Sequence, residues 1–388
     1  MQLHSIAENV LKTYCENFEG RPIIVRSPGR VNIIGEHTDY NEGFVLPAAI
    51  DKATYIAVGK SNNNNCTFIS INYNEVFEVS LSAALAPVKD WPTYILGVVD
   101  QMIKRGYGLR GFNLMIQGDV PIGAGLSSSA SVECATVFAL NELFQLHIPA
   151  LELIDIAQKA EHIFAGVMCG VMDQFVSILG KKDHVIKLDC RSMEYEYEPL
   201  QLKGIKIVLL NTNVKHSLAS TAYNKRRNEC NEGVELVKKK IPRINSLRDT
   251  TPQMLQQYVE PIDKNIYQRC RYVVEENIRL LQACESLKKG DLSSLGNAMY
   301  ATHDGLSKEY EVSCKELDFL VDYVRNVPQV LGARMMGGGF GGCTINLVKE
   351  EFVEELIIST GNAYTQHIGK ELTAYIASTA DGASLIHY

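Results

Sequence analysis

Three short stretches of the chain concentrate residue types able to do chemistry. The first, Arg30-Val-Asn-Ile-Ile-Gly-Glu-His-Thr-Asp-Tyr-Asn41, follows Pro28-Gly29 and sets Glu36, His37 and Asp39 within four residues. Fixed acceptors and donors at that density suit a polyhydroxylated ligand. A loop rich in Glu, Asp and Asn is also what a solvated surface carries, and a single His is more often a structural hydrogen-bonder. The second, Pro121-Ile-Gly-Ala-Gly-Leu-Ser-Ser-Ser-Ala-Ser131, lies between a strand-like and a helix-like segment. Small residues there let backbone approach phosphate oxygens, a helix start offers unpaired N–H groups, and hydroxyls can donate to phosphate or ligate a cation. A plain strand-to-helix turn with a serine N-cap is the simpler reading, but one cap needs one serine and the loop has four. It lacks the Lys of GxxxxGK[ST], so it is not a Walker loop. The third, Gly337-Gly-Gly-Phe-Gly-Gly342, satisfies GxGxxG, yet the β-branched Cys-Thr-Ile-Asn-Leu-Val that follows is strand-like, whereas a Rossmann loop opens a helix. A nicotinamide dehydrogenase is thereby disfavoured. Five glycines in six residues imply close backbone approach, to a neighbouring strand or to a ligand. Two carboxylates complete the set: Glu161 ends an amphipathic helix and offers a hard oxygen of the kind Mg²⁺ takes, and Asp173 lies near the next helix start. Taken singly, both read as surface charges.

The elements that must position these residues follow from periodicity and from Pro/Gly punctuation. Residues 2–17 read as an amphipathic helix and 23–27 as a strand that Pro28-Gly29 stops. Strand-like runs at 54–58 and 66–71 flank Ser61-Asn62-Asn63-Asn64-Asn65, which a hairpin loop explains. Helices are expected at 93–104 and 128–146, around a strand at 112–117. Val132, Ala135, Ala139 and Leu143 share one face of the second, and both helices should pack on a sheet. A helix over 150–165 ends at Gly166, and another spans about 170–179. Residues 181–204 mix charged, tyrosyl and apolar residues and mark a domain junction. Beyond it come a strand at 206–210 and helices at about 217–240 and 264–288.

Bulk composition bounds the classes. With 388 residues, 46% hydrophobic and 21% charged, the chain has apolar material for two domains and is neither disordered nor a disulfide scaffold. A formal net charge of −7 and no long Lys/Arg run argue against nucleic acid. The ten cysteines are scattered, with neither zinc spacing nor CxxC, as reduced cytosolic thiols would be. No apolar run approaches the roughly 18 residues that span a bilayer, and the first residues lack the pattern of a signal peptide. A cytoplasmic, soluble chain is expected.

Taken together, the three stretches resemble the motifs of the GHMP kinases. RVNIIGEHTDYN is similar to the galactokinase signature within that family, PIGAGLSSSAS to its phosphate loop and GGGFGG to its third motif. The resemblance extends to Gly170-Val-Met-Asp-Gln174 and to the surroundings of Tyr223. It implies an α+β, two-domain GHMP-kinase fold, with mixed sheet plus helices in each domain, the domains at 1–190 and 205–388 and the active site between them. It also implies a left-handed βαβ crossover in the first domain, against the usual rule. ATP and Mg²⁺ are the implied cofactors, galactose and ATP the implied small-molecule partners, with no nucleic acid, no membrane and a monomer expected. By the same resemblance Asp173 is the catalytic base and Arg30 the cation that lowers the barrier. Glu36, His37, Thr38, Asp39 and Tyr223 hold the sugar. Ser70, Gly123, Ala124, Gly125, Leu126, Ser127, Ser128 and Ser129 bind the nucleotide, and Ser129 with Glu161 the magnesium. Two rival readings share the motifs: a kinase for N-acetylgalactosamine or arabinose, and a non-enzymatic galactose sensor. The sensors resemble this chain with a shortened phosphate loop, whereas Ser127-Ser-Ser-Ala-Ser131 is uninterrupted.

Overall fold

The structure is a computed structural model that describes residues 5–214 and 219–388. The N-terminal sheet uses β1 (Ile23–Asn32), β3 (Pro47–Lys60), β4 (Asn65–Ser70), β5 (Glu75–Ser80), β6 (Phe112–Gly118) and the late strand β13 (Ser384–Ile386). Their order is β13-β1-β3-β6-β4-β5. One face carries α3 (Ser128–Phe144), which packs on β1 and β3, and α5 (Met172–Leu179). Behind α3 lie α2 (Pro92–Lys104) and α4 (Ala150–Ala160); α2 rests on these helices while its apolar face shares one core with Phe68 and Phe112 of the sheet. The opposite face is covered by α1 (Ser5–Asn17). The sequence expectation began that helix at residue 2, and residues 2–4 lie outside the described residues.

Two punctuation signals act differently from expectation. β1 does not stop at Pro28-Gly29; its register against β3 shifts between Pro28 and Arg30, placing the proline at a bulge, where its missing N–H is tolerated. Gly29 is required because a Cβ there would stand 2.9 Å from the Leu126 carbonyl of the serine-rich loop. The asparagine run closes no hairpin. β6 lies between β3 and β4, antiparallel to the first and parallel to the second, so the link passes over the start of β6. There Ser61 N donates to Gly111 O at 2.9 Å, and any Cβ on Gly111 would collide with oxygens of Ser61 and Asn63.

The C-terminal sheet has the order β10-β11-β9-β12, from β9 (Ile205–Asn211), β10 (Val330–Met335), β11 (Cys343–Lys349) and β12 (Thr373–Ala377). Both faces are buried, and the strand period of two separates them. Val208, Leu210 and Val348 face a core with α10 (Lys315–Val324) and α11 (Val353–Ile368). Ile207, Leu209, Ile345 and Leu347 face a second core shared with Val31, Ile33, Leu46 and Leu126 of the first half. That shared core joins the two sheets. A third cluster gathers α6 (Ala219–Lys238), α7 (Pro252–Tyr258), α8 (Lys264–Lys288) and α9 (Leu292–Lys308). The expected start of α6 at about 217 falls on residues outside the described ones. Residues 181–204 form β7 (His184–Asp189) and β8 (Tyr195–Pro199); β7 pairs with β8 on one side and with β2 (Phe44–Val45) on the other. Among the described residues no helix is long and apolar enough to cross a membrane.

α9 crosses β10 at a glycine pair. A Cβ on Gly296 would collide with the Leu331 carbonyl, and one on Gly332 with the Gly296 backbone. Gly296→Ala is therefore expected to cost about 1–3 kcal/mol of stability by overpacking. Chemical denaturation followed by circular dichroism checks it.

Candidate active site

The three sequence stretches converge on one place. Arg30, at the β1 bulge, forms a two-pronged pair with Asp173 in the first turn of α5: Nε to Oδ1 at 2.7 Å and Nη2 to Oδ2 at 2.9 Å. Its Nη1 donates to the Gly125 carbonyl at 2.5 Å, so the same guanidinium grips the serine-rich loop. That loop turns through positive φ at Gly123, Gly125 and Ser127. Ser127 precedes α3, but its side chain caps no helical N–H; its hydroxyl donates to Asp173 Oδ2. For a non-glycine residue positive φ is strained, and strain of this kind gathers at functional sites.

Ser129 donates to Glu161 Oε1 at 2.9 Å. Glu161 begins a wide helical turn, Glu161–Ala165, that Gly166 ends in the left-handed conformation. Burial, then the nearby Asp173, pushes the Glu161 carboxyl up. Hydroxyl plus carboxylate is a hard-oxygen donor pair that fits Mg²⁺. Among the described residues no group of three or more His, Cys, Asp or Glu side chains is placed to hold a metal, so a cation here would need further oxygens from a second ligand. That is how Mg²⁺ commonly sits between a protein and nucleotide phosphates.

Two cavities meet at this pair. The smaller, about 270 Å³, is lined by Arg30, Glu36, His37, Asp39, Glu161 and Asp173 from the first half and by Tyr223 and Gly337–Gly339 from the second. The larger, about 810 Å³, runs past Ser128 and Ser129 to Ser70, Tyr73, Trp91, Tyr94 and Tyr375. Of the expected sugar residues, Glu36, His37, Asp39 and Tyr223 line the smaller cavity. Thr38 does not: it is fully buried, and its hydroxyl sits between the carbonyls of Gly35 at 2.9 Å and Phe44 at 2.5 Å, bracing the loop. His37 Nδ1 lies 2.6 Å from the Tyr40 hydroxyl, and burial lowers the imidazole to about 4, so it is neutral.

Sequence reasoning missed the residue that fixes Glu36. Arg334, in β10, is wholly buried and reaches Glu36 Oε1 through Nη1 and Nη2 at 3.1 Å each. The N–H of Gly337 adds a third bond to the same oxygen at 2.8 Å. Burial alone would push the Glu36 carboxyl up; Arg334, Arg30 and the Gly337 N–H outweigh it and hold it below the usual range. All three donors converge on Oε1, so Oε2 is left as the acceptor for the cavity. The only signal in the sequence was one arginine inside an apolar strand, three residues before the glycine run. Its glycines meet backbone on both sides: a Cβ on Gly337 would stand 3.2 Å from the Gly125 carbonyl, and one on Gly342 3.3 Å from Ala124. Of the two readings left open, a neighbouring strand or a ligand, the close approach is to the serine-rich loop, with Gly337–Gly339 also lining the cavity.

Arg334→Met would leave Glu36 buried and unpaired, and is expected to cost about 3–5 kcal/mol in denaturation. Adding Glu36→Gln should recover part of that loss. Asp39 gives a pH-dependent prediction. Burial first, then Asp173, raises its carboxyl from 3.8 to about 7. As pH rises from 3.8 towards 7 the unfolded chain releases this proton while the folded one keeps it, so stability falls across that window. Asp39→Asn should therefore raise the unfolding temperature at pH 8, with the gain shrinking as pH falls toward about 4.

Residues 12–60 match the galactokinase galactose-binding signature, residues 93–181 the GHMP kinases N terminal domain and residues 283–363 the GHMP kinases C terminal domain. The galactokinase of Thermotoga petrophila is 43% identical over 366 residues, 93% of this chain and 99% of that protein. The Clostridium acetobutylicum galactokinase is 43% identical over 98% of this chain and 97% of its own. The crystal structure of Lactococcus lactis galactokinase complexed with galactose aligns with a TM-score of 0.94 at 33% identity, covering 98% of this chain and 100% of that one. A mevalonate kinase, at TM-score 0.66 and 18% identity, shares the fold alone. The galactose-binding signature falls on the loop that Arg334 holds against the cavity, and the likeness to these enzymes runs end to end: the chain belongs to the galactokinases of the GHMP kinase family.

Proposed function

We propose that the protein transfers the γ-phosphoryl group of ATP to the C1 hydroxyl of galactose, giving galactose 1-phosphate and ADP. The observation that carries this reading is the pair of cavities meeting between Ser129, Glu161 and Asp173, one large enough for a nucleoside and one lined with sugar-type acceptors and donors. ATP occupies the larger cavity, its base beside Trp91 and Tyr94 and its phosphates over the loop from Gly123 to Ser129. Galactose occupies the smaller, with its hydroxyls on Glu36 Oε2, Asp39 and Tyr223. An inverted C4 hydroxyl, as in glucose, leaves such partners unpaired at about 1–3 kcal/mol for each neutral group.

Asp173 accepts the proton of the C1 hydroxyl as the oxygen attacks the γ-phosphorus and the bond to the β-phosphate bridging oxygen breaks, releasing ADP. Arg30, held beside it, offsets negative charge on the transferring group. Ser129 and Glu161 would hold Mg²⁺, which when bound would supply positive charge against the phosphates of the nucleotide. The reduced cysteines fit a cytoplasmic enzyme. We assign the domains as 1–190 and 205–388, with β13 lent back to the first sheet.

Asp173→Asn tests the mechanism. The amide removes the proton acceptor and sets an NH₂ group against the donors of Arg30. The expected result is a fall in kcat of about 10²–10⁴-fold with the fold intact, read in single-turnover assays with ATP and galactose. Near-wild-type rates for Asp173→Asn and Arg30→Ala together would remove both from the chemistry, and equal kcat/KM for galactose and glucose would overturn the substrate.

A further inference from the structure

Behind Glu161 stands a carboxyl group that the reaction does not use. Glu133 lies on α3, four residues after Ser129, and is fully buried. Its Oε2 accepts from Gln174 Nε2 at 3.1 Å, and the same amide nitrogen donates to Glu161 Oε2 at 2.8 Å. Gln174 is itself fully buried and follows Asp173 in α5. Among the described residues no Lys or Arg forms an ion pair with Glu133. Packing alone would be better served at such a position by Leu or Met, because a buried carboxyl group without a cation is costly.

The geometry explains what the group does. The amide turns its NH₂ toward both carboxyl groups, so the bond to Glu133 on one side holds the direction in which Gln174 points on the other. Gln174 then holds Glu161 Oε2, and Ser129 holds Oε1. Both oxygens of Glu161 are thereby placed before any cation arrives. We propose that Glu133, acting through the Gln174 amide, is the positioning residue that sets the orientation of Glu161 and hence the affinity of the site for the divalent cation of the nucleotide. The inference rests on the reading of Ser129 and Glu161 as cation ligands. Partners that orient metal ligands typically change metal affinity by about 10–100-fold when removed.

The test is Mn²⁺ binding in the presence of a β,γ-imido ATP analogue, read by electron paramagnetic resonance without turnover, with galactose binding measured alongside. Glu133→Met should weaken Mn²⁺ by about 10–100-fold while galactose binding without nucleotide is retained. Glu133→Gln, which keeps an acceptor oxygen for Gln174, should recover most of the affinity. If Glu133→Met does not fold, Gln174→Met breaks the same bridge from the other side and carries the same expectation. Wild-type Mn²⁺ affinity in a folded Glu133→Met or Gln174→Met protein overturns the proposal. Glu161→Ala separates the two failures: if it too binds Mn²⁺ normally, the reading of Glu161 as a ligand falls, and if it alone is weakened, only the role of Glu133 falls.

Discussion

One oxygen atom, Glu36 Oε1, ties the halves of this molecule together. Its three donors all come from the C-terminal half, two from the Arg334 guanidinium and one from the Gly337 backbone. The remaining donors of Arg334 go to the carbonyls of Asn32, Ile33 and Met335, so the guanidinium binds the end of β1 as well. An ion pair this deep adds little net stability against a hydrophobic replacement, but it is strongly directional and punishes any other arrangement. Its consequence is coupling: the carboxylate that lines the smaller cavity is held in place by β10 and the glycine run. On the other side of the same loop, Glu276 of α8 accepts from the Gly35 N–H at 2.8 Å, so the loop is held from two elements of the second half.

That docking in turn sets the serine-rich loop. Gly337 and Gly342 meet Ala124 and Gly125 backbone to backbone, and Arg30 Nη1 bonds the Gly125 carbonyl from the other side. A loop held between two backbones keeps its N–H groups and hydroxyls in place without help from a ligand, which is what stabilising a transferring phosphoryl group requires. The shared core of β9 and β11 with Val31, Ile33 and Leu126 makes the arrangement rigid.

Motif and helix positions were legible in the sequence because they depend on local spacing. α3, α4 and α5 follow from apolar periodicity, Gly166 ends its helix as expected, and Asp173 lies in the first turn of α5. What could not be read depends on partners far along the chain. Pro28-Gly29 looks like a stop until Val120 and Leu126 are seen against it. The asparagine run looks like a hairpin until β6, a segment much later in sequence, is inserted beside it. Arg334 and Glu133 carried only the faint signal of a polar residue in an apolar stretch, Gln174 stood out only as part of a resembling segment, and their roles exist only through Glu36 or Glu161, each contributed by another segment. α9 and α11 were likewise not singled out, their stripes being interrupted by Gly296, Gly305 and Gly361, two of which serve close packing.

The contacts of Asp173 also limit where the acceptor hydroxyl of the proposed reaction would bond. A carboxylate offers about four lone-pair positions. Arg30 takes one on each oxygen, and Ser127 takes the second on Oδ2. The position left over is on Oδ1, and Asp173 lines the cavity that Asp39 and Tyr223 also line. An incoming hydroxyl bonded there is fixed in direction by a carboxylate that cannot swing, because Arg30 grips it at both oxygens. Phosphoryl transfer through a loose transition state draws chiefly on alignment and charge compensation. In the reaction proposed for this site both would come from one guanidinium, which is bonded to Asp173 on one side and to the Gly125 carbonyl of the serine-rich loop on the other.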